Sequence, residues 1–536
     1  MSLVKKFAAV GGATSVSRIS GFVREALIGA ALGAGPVADA FYAAFRFPNL
    51  FRRLFAEGAF NTAFIPLFAK ELEGGGEAAA RRFAEDVLSV LMASLILLSG
   101  AAILFMPFLV VWVIAPGFAD DPEKVDLTVL LTRVMFPYLF FMSLVAMLSG
   151  ILNSMRRYFL AAIVPVLLNV ILIGVLVVTL SLGLDGATTG LWLAWGVFAS
   201  GAAQLFFLAR GVRQEGFSMS LRRPALTPDV KRLLVLMGPA LLTGGVIQIN
   251  LLVGQIIASA QDGAIALLNY ADRINQLPLG IIGIAIGVVL LPELARTLKA
   301  GDFDDAQHLQ NRSLEFGLGL TLPAAVGFML FSGPLVNIVY ERGAFTAETT
   351  ALTAAALSAF ATGLPAYVLI KVFSPAYFAR LDVKSPMWFS FAAVVVNIVG
   401  SLILFPIWGH VGIAAATSVS AWLNFALLAG VLWRRGDFRP SAVTLRRSAM
   451  IVVASAAMGA LVVVLGMWAE PWLSSPRTVV RLAATLGVIG IAATVYFAIV
   501  IATGAVDREE LKRALRRRKA RQAEPSATPP ATPLDP

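Results

Sequence analysis

Apolar residues recur along the whole chain in runs of about 20 residues, which short polar segments separate. A helix of that length crosses the ~30 Å hydrocarbon core of a bilayer, and the runs lack the two-residue alternation of barrel strands. The pattern therefore predicts an all-α polytopic membrane protein with about 14 transmembrane helices. The predicted spans are residues 7–32, 37–69, 84–114, 127–153, 158–182, 187–210, 231–258, 263–295, 313–340, 350–373, 386–406, 411–433, 448–469 and 480–503.

Composition agrees with insertion into a membrane. Hydrophobic residues make up 58% of the chain and charged residues 14%, whereas a soluble domain carries about 25% charged residues. The mean hydropathy is +0.81. Arg18 and Arg24 interrupt the first apolar run, so we interpret that run as a retained first helix rather than as a cleavable signal peptide.

The net charge of +11 follows the loops between the predicted spans. One set of alternate loops, together with the C-terminal tail, holds about 30 lysines and arginines, against about 4 in the other set. Basic residues favour the cytoplasmic side of a membrane, so both termini are predicted to be cytoplasmic. The positive charge therefore reflects topology, and we expect no nucleic-acid partner.

The sequence offers no residue set for catalysis or for a metal. It contains no cysteine and two histidines, His308 and His410, which lie at the ends of predicted spans. It has no GxxxxGK[ST] loop and no cluster of histidines and carboxylates at metal-ligand spacing. We therefore expect a protein that is not an enzyme and that has no cofactor and no metal site.

Four sequence pairs indicate an internal repeat. "AFIPLFAKELEGG" resembles "VLLPELARTLKAGD", and three further pairs follow in the same order. The pairs share nearly one offset along the chain, since they align position 66 with 292, 107 with 334, 137 with 365 and 169 with 397. Each copy holds six spans, so we predict two six-helix lobes related by a pseudo-two-fold axis along the membrane normal, plus two C-terminal helices. The predicted boundaries are 1–212, 226–435 and 446–503, followed by a basic, Pro/Ala-rich cytoplasmic tail, 504–536, disordered at its end.

Charged residues inside the predicted spans need a reason, because an arginine at mid-bilayer costs about 2.5–3.5 kcal/mol on insertion scales. Within "DAFYAAFRFPNLFRRLFAEGAFNTAFIP" a polar stripe follows helical spacing, and Arg52 flanks it. Gly21 and Pro48 are predicted hinges in the first two spans. The stripe consists of Asp39, Tyr42, Arg46, Asn49, Arg53 and Glu57; the first span adds Ser17, Arg18, Arg24 and Glu25, and the eighth adds Asp272 and Arg273.

Two interpretations of these charges remain open. Asp39 with Arg46 or Arg53, and Glu57 with Arg53, can form structural ion pairs, and Asp272 can neutralise Arg273. Alternatively, the arginines line a cavity that binds an anion. Arginines outnumber carboxylates at these positions, and the guanidinium fork suits phosphate oxygens, so we expect Arg18, Arg24 and Arg273 to bind a ligand with more than one negative charge.

The segments "SRISGFVRE", "DAFYAAFRFPNLFRRLFAEGAFNTAFIP", "APGF", "ILN", "YADR" and "LLPEL" closely resemble the bacterial lipid II flippases, the MurJ (MviN) family. The resemblance runs from about residue 1 to 505 and excludes the tail. It implies an inner-membrane protein of the multidrug/oligosaccharidyl-lipid/polysaccharide exporter superfamily. Such a protein moves lipid II, the undecaprenyl-pyrophosphate-linked precursor of peptidoglycan, to the periplasmic leaflet by alternating access.

The resemblance also implies roles for particular positions. The essential cavity arginines of the family match Arg18, Arg24, Arg52 and Arg273, and further cavity positions match Ser17, Asn49 and Asp39; with Arg53 of the stripe these residues form the predicted substrate site. The last two spans match a hydrophobic groove for the polyprenyl tail. Some members bind sodium through carboxylates, but here Asn250 and Asn397 replace acids, so we favour coupling to the membrane potential over coupling to a monovalent ion.

Other functions stay open at this point. A polysaccharide-unit flippase or a multidrug exporter of the same superfamily is the nearest alternative, and an intramembrane transferase acting on a lipid-linked sugar is a different class. The expected partners are lipid II and membrane lipids, with other cell-wall synthesis proteins as a further possibility. An arginine-rich cavity favours an anionic lipid over cationic drugs.

Overall fold

A computed structural model of the protein describes residues 3–53 and 60–505. Within these ranges the chain forms 18 α-helices and no strand, so the predicted all-α class is confirmed. The predicted stripe residue Glu57 and the tail from residue 506 lie outside the described residues. A π-helical turn, Val110–Ile114, and a 3-10 turn, Pro116–Phe118, follow α4. The helices are α1 (Leu3–Leu32), α2 (Pro36–Phe51), α3 (Asn61–Leu104), α4 (Met106–Leu109), α5 (Pro122–Met135), α6 (Tyr138–Ser154), α7 (Tyr158–Ser181), α8 (Gly186–Gln214), α9 (Pro228–Ala258), α10 (Ala264–Lys299), α11 (Phe303–Leu330), α12 (Ser332–Tyr340), α13 (Ala347–Ala361), α14 (Leu364–Phe378), α15 (Lys384–Trp408), α16 (His410–Arg435), α17 (Ala442–Leu473) and α18 (Thr478–Ala502).

Ten helical segments of the described chain are long and apolar enough to cross a membrane. An eleventh is added if the two parts of α9, Pro228–Pro239 and Gly244–Ala258, which meet at 53°, form one span. Three helices outside that count, α1, α2 and α10, carry Arg18, Arg24, Arg46 and Arg273. The total of 14 spans stays a prediction.

The chain divides into two compact units. The first comprises residues 1–277, 332–366 and 382–428, and the second comprises residues 278–331, 367–381 and 429 onward. The predicted lobes, 1–212 and 226–435, with the added pair of helices at 446–503, stay a prediction. All residues of the candidate site described below belong to the first unit.

Short polar side chains set where several helices begin. Asp121, Asp185, Thr227 and Ser441 each accept the backbone N–H of the residue three positions further on. A side-chain acceptor at this position satisfies one of the four free N–H groups of a helix start. The sequence therefore marks the starts of α5, α8, α9 and α17.

In the first unit, the segment that joins α8 to α9 lies against α3. The buried carboxylate of Glu85 accepts the N–H of Ser220 at 2.9 Å and pairs with the Arg222 guanidinium at 2.7 Å. Ser89, one turn further along α3, accepts the N–H of Arg222 at 2.9 Å. Side chains of α3 thus bind the backbone of an otherwise extended segment.

In the second unit, the segment that joins α16 to α17 lies against α11 in the same way. Asn311 accepts the N–H of Ser441 at 3.1 Å and donates to the carbonyl of Arg439 at 3.0 Å. Gln307 accepts the N–H of Arg439 at 3.1 Å. Here too, polar side chains on one helix hold the chain that follows the last helix of a predicted repeat.

These paired features support the duplication that the sequence predicts. Glu85 and Asn311 are offset along the chain by the same interval as positions 66 and 292 of the first repeat pair. Two pairs of glycines at helix breaks also match: Gly76 and Gly301 have φ angles of 72° and 76°, and Gly183 and Gly409 have φ angles of 63° and 56°. The orientation of the symmetry axis stays a prediction.

Candidate functional site

One carboxylate joins two of the predicted arginines in the first unit. Glu25 Oε1 lies 2.5 Å from Arg24 Nη2 on the same helix, α1, and 3.0 Å from Arg273 Nη2 on α10. Its other oxygen accepts the hydroxyl of Tyr42, on α2, at 2.7 Å. The structure therefore brings Arg24 and Arg273 together, and it does so through an acid that the two arginines share.

The two arginines of this group differ in exposure. The side chain of Arg24 is 8% exposed, whereas that of Arg273 is 38% exposed. Arg24 Nη1 also donates to Asn169 Oδ1 of α7 at 2.9 Å. Arg24 is thus held inside the protein, while the Arg273 side chain is partly exposed.

The sequence left open whether Asp272 neutralises Arg273; the ion pair that Arg273 makes at 3.0 Å is with Glu25. The Asp272 carboxylate instead accepts from Gln276 Nε2, one turn further along α10. The guanidinium charges of Arg273, Arg46 and Arg53 all act on Asp272, and that of Arg273 acts most strongly. The site consequently contains two carboxylates, Glu25 and Asp272, and arginine charges act on both.

Three tyrosines form an aromatic wall beside Glu25. The rings of Tyr42 and Tyr270 are 5.6 Å apart, and those of Tyr270 and Tyr340 are 5.0 Å apart. Tyr270 donates to the carbonyl of Gly33 at 2.7 Å, so its ring is fixed. Tyr42 and Tyr270 have the sequence offset of the repeat pair 169 and 397, hence they occupy equivalent positions in the two repeats.

The end of α2 supplies further arginines. Arg46, which is half-buried, donates to Asn269 of α10 at 3.1 Å. Arg52 donates to Asn49 at 3.0 Å, and Asn49 donates to the carbonyl of Phe45 at 2.9 Å. Arg53 follows and is exposed. Helix α2 and the two residues that follow it therefore add Arg46, Arg52 and Arg53 to the arginines of α1 and α10.

Arg18 is exposed on α1 and is not in contact with the Glu25 group in the described part of the chain. Helix α1 continues without a break through Gly21, so the six residues between Arg18 and Arg24 turn the two side chains about 120° apart. Ser17 contributes its carbonyl, which accepts from Asn169 Nδ2 at 2.9 Å. Pro48 lies inside α2, three residues before its end. The roles of Arg18, Arg52 and Arg53 as ligands, and of Gly21 and Pro48 as hinges, stay predictions.

Asp39 has a set of partners of its own. Its side chain is completely buried and pairs with Lys124 Nζ at 3.1 Å. The same carboxylate accepts the N–H groups of Gly263 at 2.7 Å and Ala266 at 3.0 Å, at the start of α10. Lys124 also contacts Asp262 at 2.7 Å. The ion pair of Asp39 is thus with Lys124 rather than with Arg46, and its role in substrate binding stays a prediction.

We expect Asp39→Asn to lower the free energy of unfolding by about 3–5 kcal/mol, because one partner of a buried ion pair is removed. The amide nitrogen would also face groups that themselves donate hydrogen bonds. Thermal unfolding of the purified protein measures the change. Asp262→Asn is the matched control: the Asp262 side chain is 83% exposed, so its loss should cost less than about 1 kcal/mol. Equal losses in the two variants would contradict the structural role of Asp39.

Close backbone contacts join the end of α1 to the segment before α10 and to the segment after α12. The N–H of Ala344 donates to the carbonyl of Ala30 at 2.8 Å. A Cβ at Gly343 would lie 2.3 Å from that carbonyl oxygen, and a Cβ at Gly263 would lie 2.4 Å from the carbonyl oxygen of Ala34. Both glycines have positive φ angles, 60° and 76°. Only glycine allows the segments to approach so closely.

A second polar cluster joins α9, α15 and α16. Asn397 donates to Asn250 at 3.0 Å and accepts from the Thr417 hydroxyl at 3.2 Å. Within residues 3–53 and 60–505, no group of three or more histidines, cysteines and carboxylates is placed to hold a metal. Coupling to a monovalent ion at this cluster therefore stays a prediction.

Sequence reasoning did not select Arg46 or Asn169 as site residues, although both gave a signal. Arg46 belongs to the polar stripe of α2, and Asn169 belongs to one of the four repeat pairs. Both lie within hydrogen-bond distance of a predicted site element: Arg46 contacts α10, and Asn169 contacts Arg24.

Comparison with known proteins extends the description. Residues 28–483 match the profile of the family described as "Lipid II flippase MurJ". The chain is 54% identical to the "Probable lipid II flippase MurJ" of Rhizobium tropici, over 97% of this chain and 98% of that protein. It is 51% identical to the protein of the same description from Rhizobium meliloti (strain 1021), over 96% and 97%. It is 34% identical to the "Lipid II flippase MurJ" of Burkholderia cenocepacia, over 86% and 90%.

Solved structures show the same fold. One described as "Lipid II flippase MurJ, inward closed conformation" has a TM-score of 0.75 at 24% identity, over 92% of this chain and 99% of that chain. An inward-facing multidrug resistance MATE transporter of the MOP superfamily has a TM-score of 0.65 at 14% identity, over 78% and 94%. At these identities the likeness shows the fold alone.

The profile match covers most of the chain, and the relatives match over nearly their whole length. The apolar helices agree with a multi-pass protein of the inner membrane. The family is one of flippases, which are transporters and not enzymes. This chain belongs to the lipid II flippase MurJ family.

Proposed function

We propose that the protein flips lipid II from the cytoplasmic to the periplasmic leaflet of the inner membrane, with Arg24 and Arg273 binding the pyrophosphate. The observation that carries the proposal is the convergence of these two arginines, from α1 and α10, on the Glu25 carboxylate. Both guanidinium groups donate to the same carboxylate oxygen, Oε1, and guanidinium groups bind phosphate oxygens as they bind carboxylate oxygens. Glu25 thus occupies a position suited to an anion.

Substrate binding is an exchange of anions in this proposal. The partly exposed guanidinium of Arg273 meets a phosphate of the pyrophosphate first. Arg24 keeps Asn169 as a neutral partner while it gains a second phosphate. Glu25 retains the hydroxyl of Tyr42 when its arginines turn to the ligand. The ligand brings more negative charge than one carboxylate, so binding is favoured without breaking every contact of Glu25.

The arginines of α2 extend the basic surface. Arg46, Arg52 and Arg53 follow one another at the end of that helix, beside Asn269 of α10. They attract the anionic headgroup, and the apolar helices α17 and α18, which match the tail-groove positions, take the polyprenyl chain. Exposed side chains such as Val453, Val464 and Leu486 give these helices an apolar outer surface.

Alternating access then exposes the loaded site to the opposite leaflet. A positively charged cavity responds to the membrane potential, which is worth about 2.3 kcal/mol per charge per 100 mV. We favour the potential as the driving force over a monovalent ion, because the Asn250–Asn397–Thr417 cluster contains no acid. Both termini are cytoplasmic in this proposal, and other cell-wall synthesis proteins are the expected partners.

The alternative functions fit the site less well. A multidrug exporter for cations would be opposed by the guanidinium groups that surround Glu25. A flippase for another polysaccharide unit shares the pyrophosphate chemistry and remains the second candidate. A transferase needs a nucleophile or a general base beside the pyrophosphate, whereas Glu25 is held in ion pairs and Asp272 accepts from Gln276.

The test is a leaflet-resolved lipid II assay with purified protein in liposomes, with and without a membrane potential. We expect lipid II to reach the opposite leaflet faster than in protein-free liposomes, and faster still with a potential. Translocation at the protein-free rate under both conditions would refute the proposal. Depletion of the protein in cells distinguishes the two flippase candidates. If it flips lipid II, lipid II should accumulate in the inner leaflet. Intact wall synthesis with loss of surface polysaccharide would favour the polysaccharide-unit flippase.

A further inference from the structure

Asn169 lies on α7, buried against α1 in the first unit, and both polar atoms of its amide have partners. Oδ1 accepts from Arg24 Nη1 at 2.9 Å. Nδ2 donates to the carbonyl of Ser17 at 2.9 Å and to the hydroxyl of Ser20 at 3.1 Å. A carbonyl can only accept, so Nδ2 has to face Ser17 and Oδ1 has to face the guanidinium. The orientation of the amide follows from these contacts.

Two partners hold the two ends of the Arg24 fork. Glu25 binds Nη2, and Asn169 binds Nη1. Glu25 lies on the same helix as Arg24, whereas Asn169 reaches it from another helix. Arg24 Nε is buried without a partner among the described residues, so Asn169 and Glu25 alone set the plane of the group. A guanidinium that is held before the ligand arrives loses less entropy on binding.

The second half of the chain repeats this contact without the charge. Asn397 of α15 donates to Asn250 of α9 at 3.0 Å. Asn169 and Asn397 form one of the four repeat pairs, and Asn250 follows Arg24 by the same interval as position 292 follows position 66. The duplicated unit therefore contains an asparagine that contacts its first helix in both copies. Only in the first copy is the residue that this asparagine contacts an arginine.

We propose that Asn169 is a positioning residue for substrate binding, which holds the Arg24 guanidinium in the plane that receives the pyrophosphate of lipid II. This inference rests on the proposed function. Asn169 acts through Arg24 and need not touch the ligand. A neutral partner suits this task, because it orients the guanidinium and leaves its charge available to the phosphate. An acid at residue 169 would compete with the ligand instead.

A double-mutant cycle on lipid II affinity tests the inference. Four full-length proteins are purified: the wild type, Asn169→Ala, Arg24→Ala and the double variant; titration with lipid II gives each affinity. We expect Asn169→Ala to weaken binding about tenfold, as for a lost hydrogen bond to a charged group. In the Arg24→Ala background the same change should have no effect, because the residue through which Asn169 acts is gone.

Asn397→Ala is the matched control, since it removes the equivalent asparagine where no arginine is held; its lipid II affinity should equal that of the wild type. Asn169→Ala with wild-type affinity, or with the same loss in the Arg24→Ala background, would overturn the inference. If Asn169→Ala does not fold, the isosteric Asn169→Asp decides: weaker binding supports the inference and unchanged binding overturns it. Failure of the wild type to bind lipid II would instead count against the proposed function.

Discussion

Alanine at residue 24 or 273 should abolish lipid II transport while the protein still inserts into the membrane. Each substitution removes charge-assisted hydrogen bonds to the pyrophosphate, which lowers affinity by about 10- to 100-fold. Arg24→Ala leaves Glu25 paired with Arg273 and Tyr42, and Arg273→Ala leaves it paired with Arg24 and Tyr42. The Glu25 carboxylate therefore keeps one arginine and one tyrosine as partners in each variant, so we expect both variants to fold.

The measurement is complementation of a strain depleted of the wild-type protein, with membrane levels checked by immunoblot. Arg342→Ala is the matched control, because Arg342 is exposed and its guanidinium binds carbonyls of the preceding helix, α12, at 2.8 Å. It should complement fully. Growth supported by Arg24→Ala or Arg273→Ala at normal membrane levels would contradict the site.

Lysine should not replace Arg24 in the same complementation assay. Its single ammonium group cannot reach Asn169, Glu25 and a phosphate in the geometry that the guanidinium fork allows. Full growth with Arg24→Lys would show that the charge alone is enough and that the fork is not needed.

Glu25→Gln should lower the stability of the ligand-free protein and at the same time increase its stabilisation by lipid II. Removing one partner of a buried ion pair costs about 3–5 kcal/mol, because the remaining charge is left uncompensated. In this variant two guanidinium groups, those of Arg24 and Arg273, would lie close together without their shared anion. A pyrophosphate would restore that anion, so ligand binding should recover part of the loss.

Thermal unfolding with and without lipid II measures both effects. Glu293→Gln is the control, because its pair with Arg296 is partly exposed and should contribute less than about 1 kcal/mol. If lipid II stabilises Glu25→Gln no more than it stabilises the wild type, the pyrophosphate does not take the position of the Glu25 carboxylate.

The hydrophobic pattern predicts the fold class well but is less informative for the helices of the site. Helix α2 has 16 residues and carries Arg46, α1 carries Arg18 and Arg24, and α10 carries Arg273. A polar face that is buried against other helices lowers the apolar content of a span without exposing charge to lipid. The helices that carry the candidate site are thus among those whose sequences look least like membrane spans.

Spacing along a helix identifies a polar face but not what packs against it. Asp39 and Arg46 lie on one stripe of α2, yet Asp39 pairs with Lys124, 85 residues away. Arg273 likewise donates to Glu25, 248 residues away. The register between α1, α2 and α10 decides these pairs, and that register depends on tertiary packing. Sequence reasoning therefore found the arginines and missed their partners.

The repeat gave more information about the site than the charges did. Gly21 lies in a continuous part of α1, against the amide of Asn169, which a Cβ at residue 21 would approach to 3.5 Å. Asn169 itself is a single polar residue in an apolar span. Its match to Asn397 indicates that both repeats contain an asparagine at this position.

The close approach of Gly263 to Ala34 and of Gly343 to Ala30 has a consequence for substitutions. A side chain at either glycine would push two main chains apart, because its Cβ would lie 2.4 Å or 2.3 Å from a carbonyl oxygen. The Asp39 carboxylate accepts the N–H of Gly263, so a displacement there would also disturb the buried Asp39–Lys124 pair. A larger residue at 263 should therefore weaken the first unit through two contacts at once.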